Sequence, residues 1–260
     1  MRYLSLTLFL FLSLFLTSCL EITEIITINK DGSGRYETYV DMSELLSNPM
    51  MAMMMQQEGG TDMTDKNVDS TIYMGEEIIA LNPELKAEER EMLKKFVTTM
   101  KIDFAAGIGE VRTGYDFTDP EGIDRMNDLL SRVKTPSDEE DGEGGPGGGA
   151  GMLGSIGGMT DQASNIIWKK GKFTRTFTGD RQSMMDKLGD QVNMEMMKGM
   201  FEEMKMSTEY RLPGKVKKHT FPNGTVSEDG RTIRIPIDMD KVLNDPASID
   251  LSGTVKYKKK

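Results

Sequence analysis

The side chains of this chain that could do chemistry are few in kind: one cysteine, one histidine, 23 methionines and 42 carboxylates among 260 residues. A single histidine, His219, rules out a two-histidine metal-hydrolase helix, and neither a Gly-x-Ser-x-Gly elbow nor a glycine loop followed by Lys-Ser/Thr occurs. Carboxylates alone can run acid–base hydrolysis, and Glu76-Glu77 or Asp103 with Asp116 are available for it. With so many acids such pairs arise by chance, and a solvated acidic surface accounts for them. A calcium loop built around Asp31-Gly32 would put Thr27 and Thr38 where carboxylates are required, so that stretch reads as a hairpin turn, as does Asp229-Gly230. No metal and no cofactor is expected.

Methionine is the compositional oddity. After Asp180, Met184, Met185, Leu188, Met196, Met200, Phe201 and Met204 fall at helical spacing and form a wide apolar stripe. Three readings fit it: a core face, since methionine fills irregular gaps; an adaptable surface for a protein partner or an amphiphile; or a copper(I) site, thioethers being soft ligands. Soft-metal sites usually recruit cysteine or histidine beside methionine, and His219 lies in a polar stretch well beyond the stripe.

Cys19 sits in the most specific context of the chain. Met1-Arg2 precedes an apolar run of Leu and Phe over residues 4–16, too short and too early for a spanning helix of ~20 residues, so residues 1–18 read as a secretory leader. Leu16-Thr17-Ser18-Cys19 then resembles the processing site of bacterial lipoproteins, which implies that Cys19 becomes the first mature residue and carries the lipid. The expected location is extracytoplasmic, with the chain anchored to the membrane by acyl chains such as palmitate on Cys19. Leu20, rather than Asp, after the cysteine agrees with the outer membrane more than the inner. With its thiol used in this way, Cys19 is free neither for a disulfide nor for a Cys–His site. Loss of Arg2 with the leader leaves the remainder more negative than the full chain's −10, which argues against nucleic acid as a partner.

Four times the chain reads strand, turn, strand and helix start. The first unit joins residues 21–28 to 35–40 and enters a helix at Asp41 or Ser43; the second joins 99–104 to 110–117, with Asp119-Pro120 opening a helix that turns Ile123, Met126, Leu129, Leu130 and Val133 inward. The third joins 165–168 to 172–177, and the fourth pairs 206–212 with 232–237. A last strand is expected within 249–257 and a helix over 85–97, with Leu85, Met92, Leu93 and Phe96 inward. Residues 50–66 read as polar and mobile. The acidic, then glycine-rich, stretch from 136 to about 162 reads as disordered, because it cannot bury enough apolar surface to offset its chain entropy. The expected fold class is α+β, an antiparallel sheet of hairpin-then-helix units with helices on one face, and two halves, 19–135 and 163–260, flank the flexible insert.

Tyr210-Arg211-Leu212-Pro213-Gly214, Asn223-Gly224, Asp229-Gly230 and the closing Asp238-Met239-Asp240-Lys241 resemble the C-terminal signature of LppM-like bacterial lipoproteins. The resemblance covers about fifty residues and implies an α+β domain behind an N-terminal lipid, associated with binding lipids or glycolipids at the cell envelope. This chain departs from it in the glycine insert, in the methionine stripe and in lacking an apolar C-terminal segment. The expected function is that of a non-enzymatic, lipid-anchored envelope protein that binds a partner protein or an amphiphile. A structural or assembly lipoprotein without a small ligand is the alternative, followed by a carboxylate hydrolase or a methionine copper(I) binder.

Overall fold

In the computed structural model, residues 20–47, 67–134, 164–177, 204–239, 241 and 250–258 are described. The β-branched run after Cys19 forms strand β1 (Leu20–Ile28), which a tight turn joins to β2 (Gly34–Asp41). Asp31 fixes that turn by accepting from the Ser33 amide (3.0 Å) and hydroxyl (2.7 Å), while Gly32 supplies the left-handed φ of 98° that the chain needs to reverse. Helix α1 (Ser43–Leu46) follows, and of the two expected capping residues only Asp41 reaches an amide of this start, that of Ser43 (2.9 Å). The Ser43 hydroxyl instead accepts from Gly109 N, tying the helix to the next hairpin.

That hairpin is β4 (Val97–Asp103) and β5 (Ile108–Phe117), and helix α4 (Glu121–Arg132) comes after it with Ile123, Met126 and Leu129 buried. Pro120 already has helical dihedrals, and the Asp119 carboxylate is held by Arg125 rather than by helix amides. Ahead of β4 lie three elements: β3 (Asn67–Ile72), α2 (Met74–Leu81) and α3 (Ala87–Leu93). The helix expected over 85–97 is thus shorter, because Val97 already pairs with Gly114 in the sheet. The remaining strands are β6 (Ser164–Lys169), β7 (Lys172–Phe177), β8 (Met204–Arg211), β9 (Val216–His219), β10 (Thr225–Val226), β11 (Thr232–Ile237) and β12 (Gly253–Tyr257).

The class is α+β. Among the described residues the strands form two sheets, one of eight in the order β10-β11-β8-β1-β2-β5-β4-β3 and one of four in the order β6-β7-β12-β9. Their pairings are antiparallel except β1 with β8, which run parallel from Leu20↔Met204 to Thr27↔Arg211. The large sheet therefore draws strands from both sides of the glycine-rich stretch. Alternation along β1 turns Leu20, Ile22, Ile26 and Ile28 to one face, where they join Tyr36, Val40, Tyr115, Phe173, Tyr210, Ile233 and Ile235 in one apolar cluster with α4. No helix among the described residues is long and apolar enough to cross a membrane.

One expectation changes here. Met204 is not the end of a helical stripe but the first residue of β8, buried in register with Leu20. Pairing with β1, and Thr208 and Tyr210 further along the strand, hold it in the extended state. Met184, Met185, Leu188, Met196, Met200 and Phe201 lie outside the described residues, as do Cys19 and the stretches 50–66 and 136–162.

Candidate functional site

At one end of β1 lies the residue that follows Cys19. Leu20 is only 2% exposed and already hydrogen-bonded into the sheet, so the core begins one residue after the candidate anchor. Around that end are Glu21 and Asp41, paired across strands, the end of β11 at Ile237 and the exposed Asp238; Glu21 is ion-paired with Arg234.

Midway along β1, polar residues sit on an otherwise apolar face. The register lines up Thr208, Glu24, Thr38, Thr113 and Thr98 across five strands. Glu24 takes two hydrogen bonds from the Arg175 guanidinium (2.8 and 3.0 Å) and one from the Thr208 hydroxyl (2.7 Å), and Arg175 also donates to the Tyr210 hydroxyl (2.9 Å). Arg175 and Glu24 side chains are both 0% exposed, so this bidentate pair clamps β7 of the small sheet onto β1 of the large one, out of reach of any substrate. Sequence reasoning missed it, although a signal exists: Glu24 falls at an inward position between Ile22 and Ile26, and Arg175 at an inward position after Phe173. Opposite charges at inward positions of two strands call for each other.

One face of the small sheet is basic. The outer face of the small sheet carries Lys169, Lys172, Lys256 and Lys218 in direct cross-strand register on β6, β7, β12 and β9, all four exposed. Beyond Lys218 the register shifts, Val216 facing Tyr257, so Lys217 is the extra residue of a bulge. Lys217, Lys256 and Lys258, with Gly171 and Tyr257, line an open cleft of about 410 Å³. No carboxylate occurs in residues 165–177, 215–220 or 253–258. The lysine ion pairs among the described residues, Lys94–Glu91 and Lys241–Asp238, lie elsewhere. Asp229 lies by Lys215 and Arg231, and the Ser227 hydroxyl and the Arg231 amide that bond it hold its carboxyl below the usual range.

The carboxylates available as acid and base are not brought together. Asp103 ends β4, opposite Ile108 at the start of β5, whereas Asp116 lies near the far end of β5, opposite Arg35 and paired with it (3.1 Å). Glu76 and Glu77 sit exposed in the first turn of α2. For Glu37, burial alone would raise the carboxyl, but hydrogen bonds from Arg112 and Arg35 hold it below the usual range, as in a structural ion pair. His219 is half-buried on β9 with Gly224 packed on its ring. Among the described residues no cluster of three His, Cys, Asp or Glu could hold a metal ion.

No family model and no curated protein matches this chain. Among solved structures, the folded domain of the LppM protein of Mycobacterium tuberculosis is similar at 8% identity and a TM-score of 0.40, over 94% of this chain and 92% of that one.

Proposed function

We propose that this chain is a non-enzymatic protein of the bacterial envelope, anchored through lipid on Cys19, whose α+β domain binds a partner protein or an amphiphile. The observation that carries the reading is the junction itself: an apolar leader, Leu16-Thr17-Ser18-Cys19, and then a central core strand with no spacer. Each buried methylene of an acyl chain adds ~0.8 kcal/mol to membrane affinity, so two or more chains make a stable anchor. With β1 starting at residue 20, such an anchor would seat the domain directly on the head groups, with the Glu21–Asp41 end of the sheet toward the bilayer. The ligand surface is sought on Met184, Met185, Leu188, Met196, Met200 and Phe201, without Met204, which is core.

Fractionation tests the anchor: Cys19→Ala should move the protein from the membrane to the soluble fraction, whereas retention in the membrane would overturn the reading. Native mass spectrometry of the purified chain tests the ligand, a co-purifying amphiphile supporting that half of the proposal and a bare monomer mass turning the search to protein partners.

A further inference from the structure

We propose that the outer face of the β6-β7-β12-β9 sheet, a basic patch on an otherwise acidic chain, binds a linear inorganic polyphosphate along the row Lys169-Lys172-Lys256-Lys218, at the end of β1 remote from Leu20. Like charges placed directly opposite one another on neighbouring strands destabilise a sheet, and here the pairing recurs at three successive strand contacts. Lysines on edge strands are a common defence against aggregation. That explanation serves β6 and β9, which are edges, but not β7 and β12, which are interior strands of this sheet. A row of ammonium groups that makes no ion pair among the described residues, two of them on interior strands of a face where those residues place no carboxylate, is complementary to a ligand bearing several negative charges.

The geometry selects the form of that ligand. Three inter-strand steps of ~4.8 Å give a row roughly 14 Å long, too long for a single phosphate and suited to repeated charges along a line. The cleft lined by Lys217, Lys256 and Lys258 adjoins the row at Lys256. All six side chains are lysines, which hold phosphate as point charges without the planar fork by which arginine fixes a carboxylate or phosphate in one geometry, as fits a flexible polymer of variable register. The next row on the same face supplies hydroxyls, Thr174 and Thr254, paired at 3.0 Å.

With the chain anchored as proposed above, position excludes the bilayer as the occupant. Phe173 packs on Tyr210 (centroids 4.8 Å apart), which is level with Ile26, and the Trp168 ring lies against Gly32 in the β1–β2 turn. The lysine row, one residue further out, is thus level with the turn end of β1. Nine residues of strand put about 30 Å between the turn and the end at Leu20, several times the ~8 Å screening length of physiological salt.

The test uses the full chain in neutral detergent with fluorescently labelled long-chain polyphosphate, read by anisotropy. Binding is expected to be at least a hundredfold tighter than for orthophosphate, and Lys172→Gln with Lys256→Gln should weaken it tenfold or more. The double variant should also flatten the log–log salt slope by roughly one to two. Lys101→Gln with Lys205→Gln, two lysines outside this face, should leave binding within twofold. Polymer binding equal to that of orthophosphate, indifference to the double variant, or capture by empty phosphatidylglycerol nanodiscs in place of the polymer would each overturn the proposal. Because binding is read in detergent, it stands or falls separately from the fractionation of the Cys19→Ala protein.

Discussion

Taking the Arg175 guanidinium and the Glu24 carboxylate out of water costs several kcal/mol per ion, which their bidentate contact and the bonds from Thr208 and to Tyr210 help to offset. Removing one partner leaves the other buried without its counter-charge. Arg175→Met is therefore expected to lower unfolding free energy by ~3–5 kcal/mol in denaturant titration, while Glu24→Leu with Arg175→Met should recover most of that loss. A pair that behaved additively would show that the clamp contributes through packing alone. Asp124 on α4 makes a second, titratable case. Burial pushes its carboxyl above the ordinary value of 3.8, and the bond it accepts from Ile166 N (3.4 Å) does not compensate. A carboxyl whose folded pKa is raised loses stability as pH rises from the unfolded value through the folded one, and the penalty then persists to neutrality. Asp124→Asn should accordingly raise the melting temperature at pH 7, with the gain over the native protein shrinking as pH falls toward 3.8.

At the scale of elements, what could be read from the sequence is what local chemistry decides. The hairpins β1–β2, β4–β5 and β6–β7 follow from alternation around glycine-bearing turns, and α4 from its apolar spacing. The β8–β11 pairing was also legible, although β9 and β10 interrupt it. Three things were not. The β1–β8 contact joins residues more than 180 positions apart and leaves no local trace. Strand β3 is a half-buried edge, and α2 is too short for a clear period, its glycine there for packing: a Cβ on Gly75 would meet the Leu93 carbonyl at 1.7 Å. The lysine row is the third, because each lysine looks like ordinary surface until the register of four strands aligns them. Met204 shows the converse, a methionine at helical spacing that the neighbouring strand claims.

For the whole molecule the decisive quantity is the distance between its two ends. If lipid on Cys19 holds the chain, Leu20 is in the sheet one residue later and the domain has no tether about which to swing. The strands then stand away from the bilayer, with the β1–β2 turn at the far end together with the lysine row. The chain's only cysteine would be consumed by the anchor, so one added cysteine provides a unique attachment point for a fluorophore. Ser33→Cys marks the turn, and Asp238→Cys, exposed beside the end of β11 that pairs with Met206, marks the end nearer the lipid. In vesicles containing a head-group quencher, the label at 238 should be strongly quenched and the label at 33 barely affected, since quenching decays well within the ~30 Å that nine strand residues span. Inserting a six-residue Gly-Ser spacer between Cys19 and Leu20 should then relieve quenching at 238 without changing the melting temperature, because the spacer lies outside the sheet. Equal quenching at both positions would mean that the domain lies flat, in which case the lysine face meets the bilayer and the reason for assigning it a polymer in solution is lost.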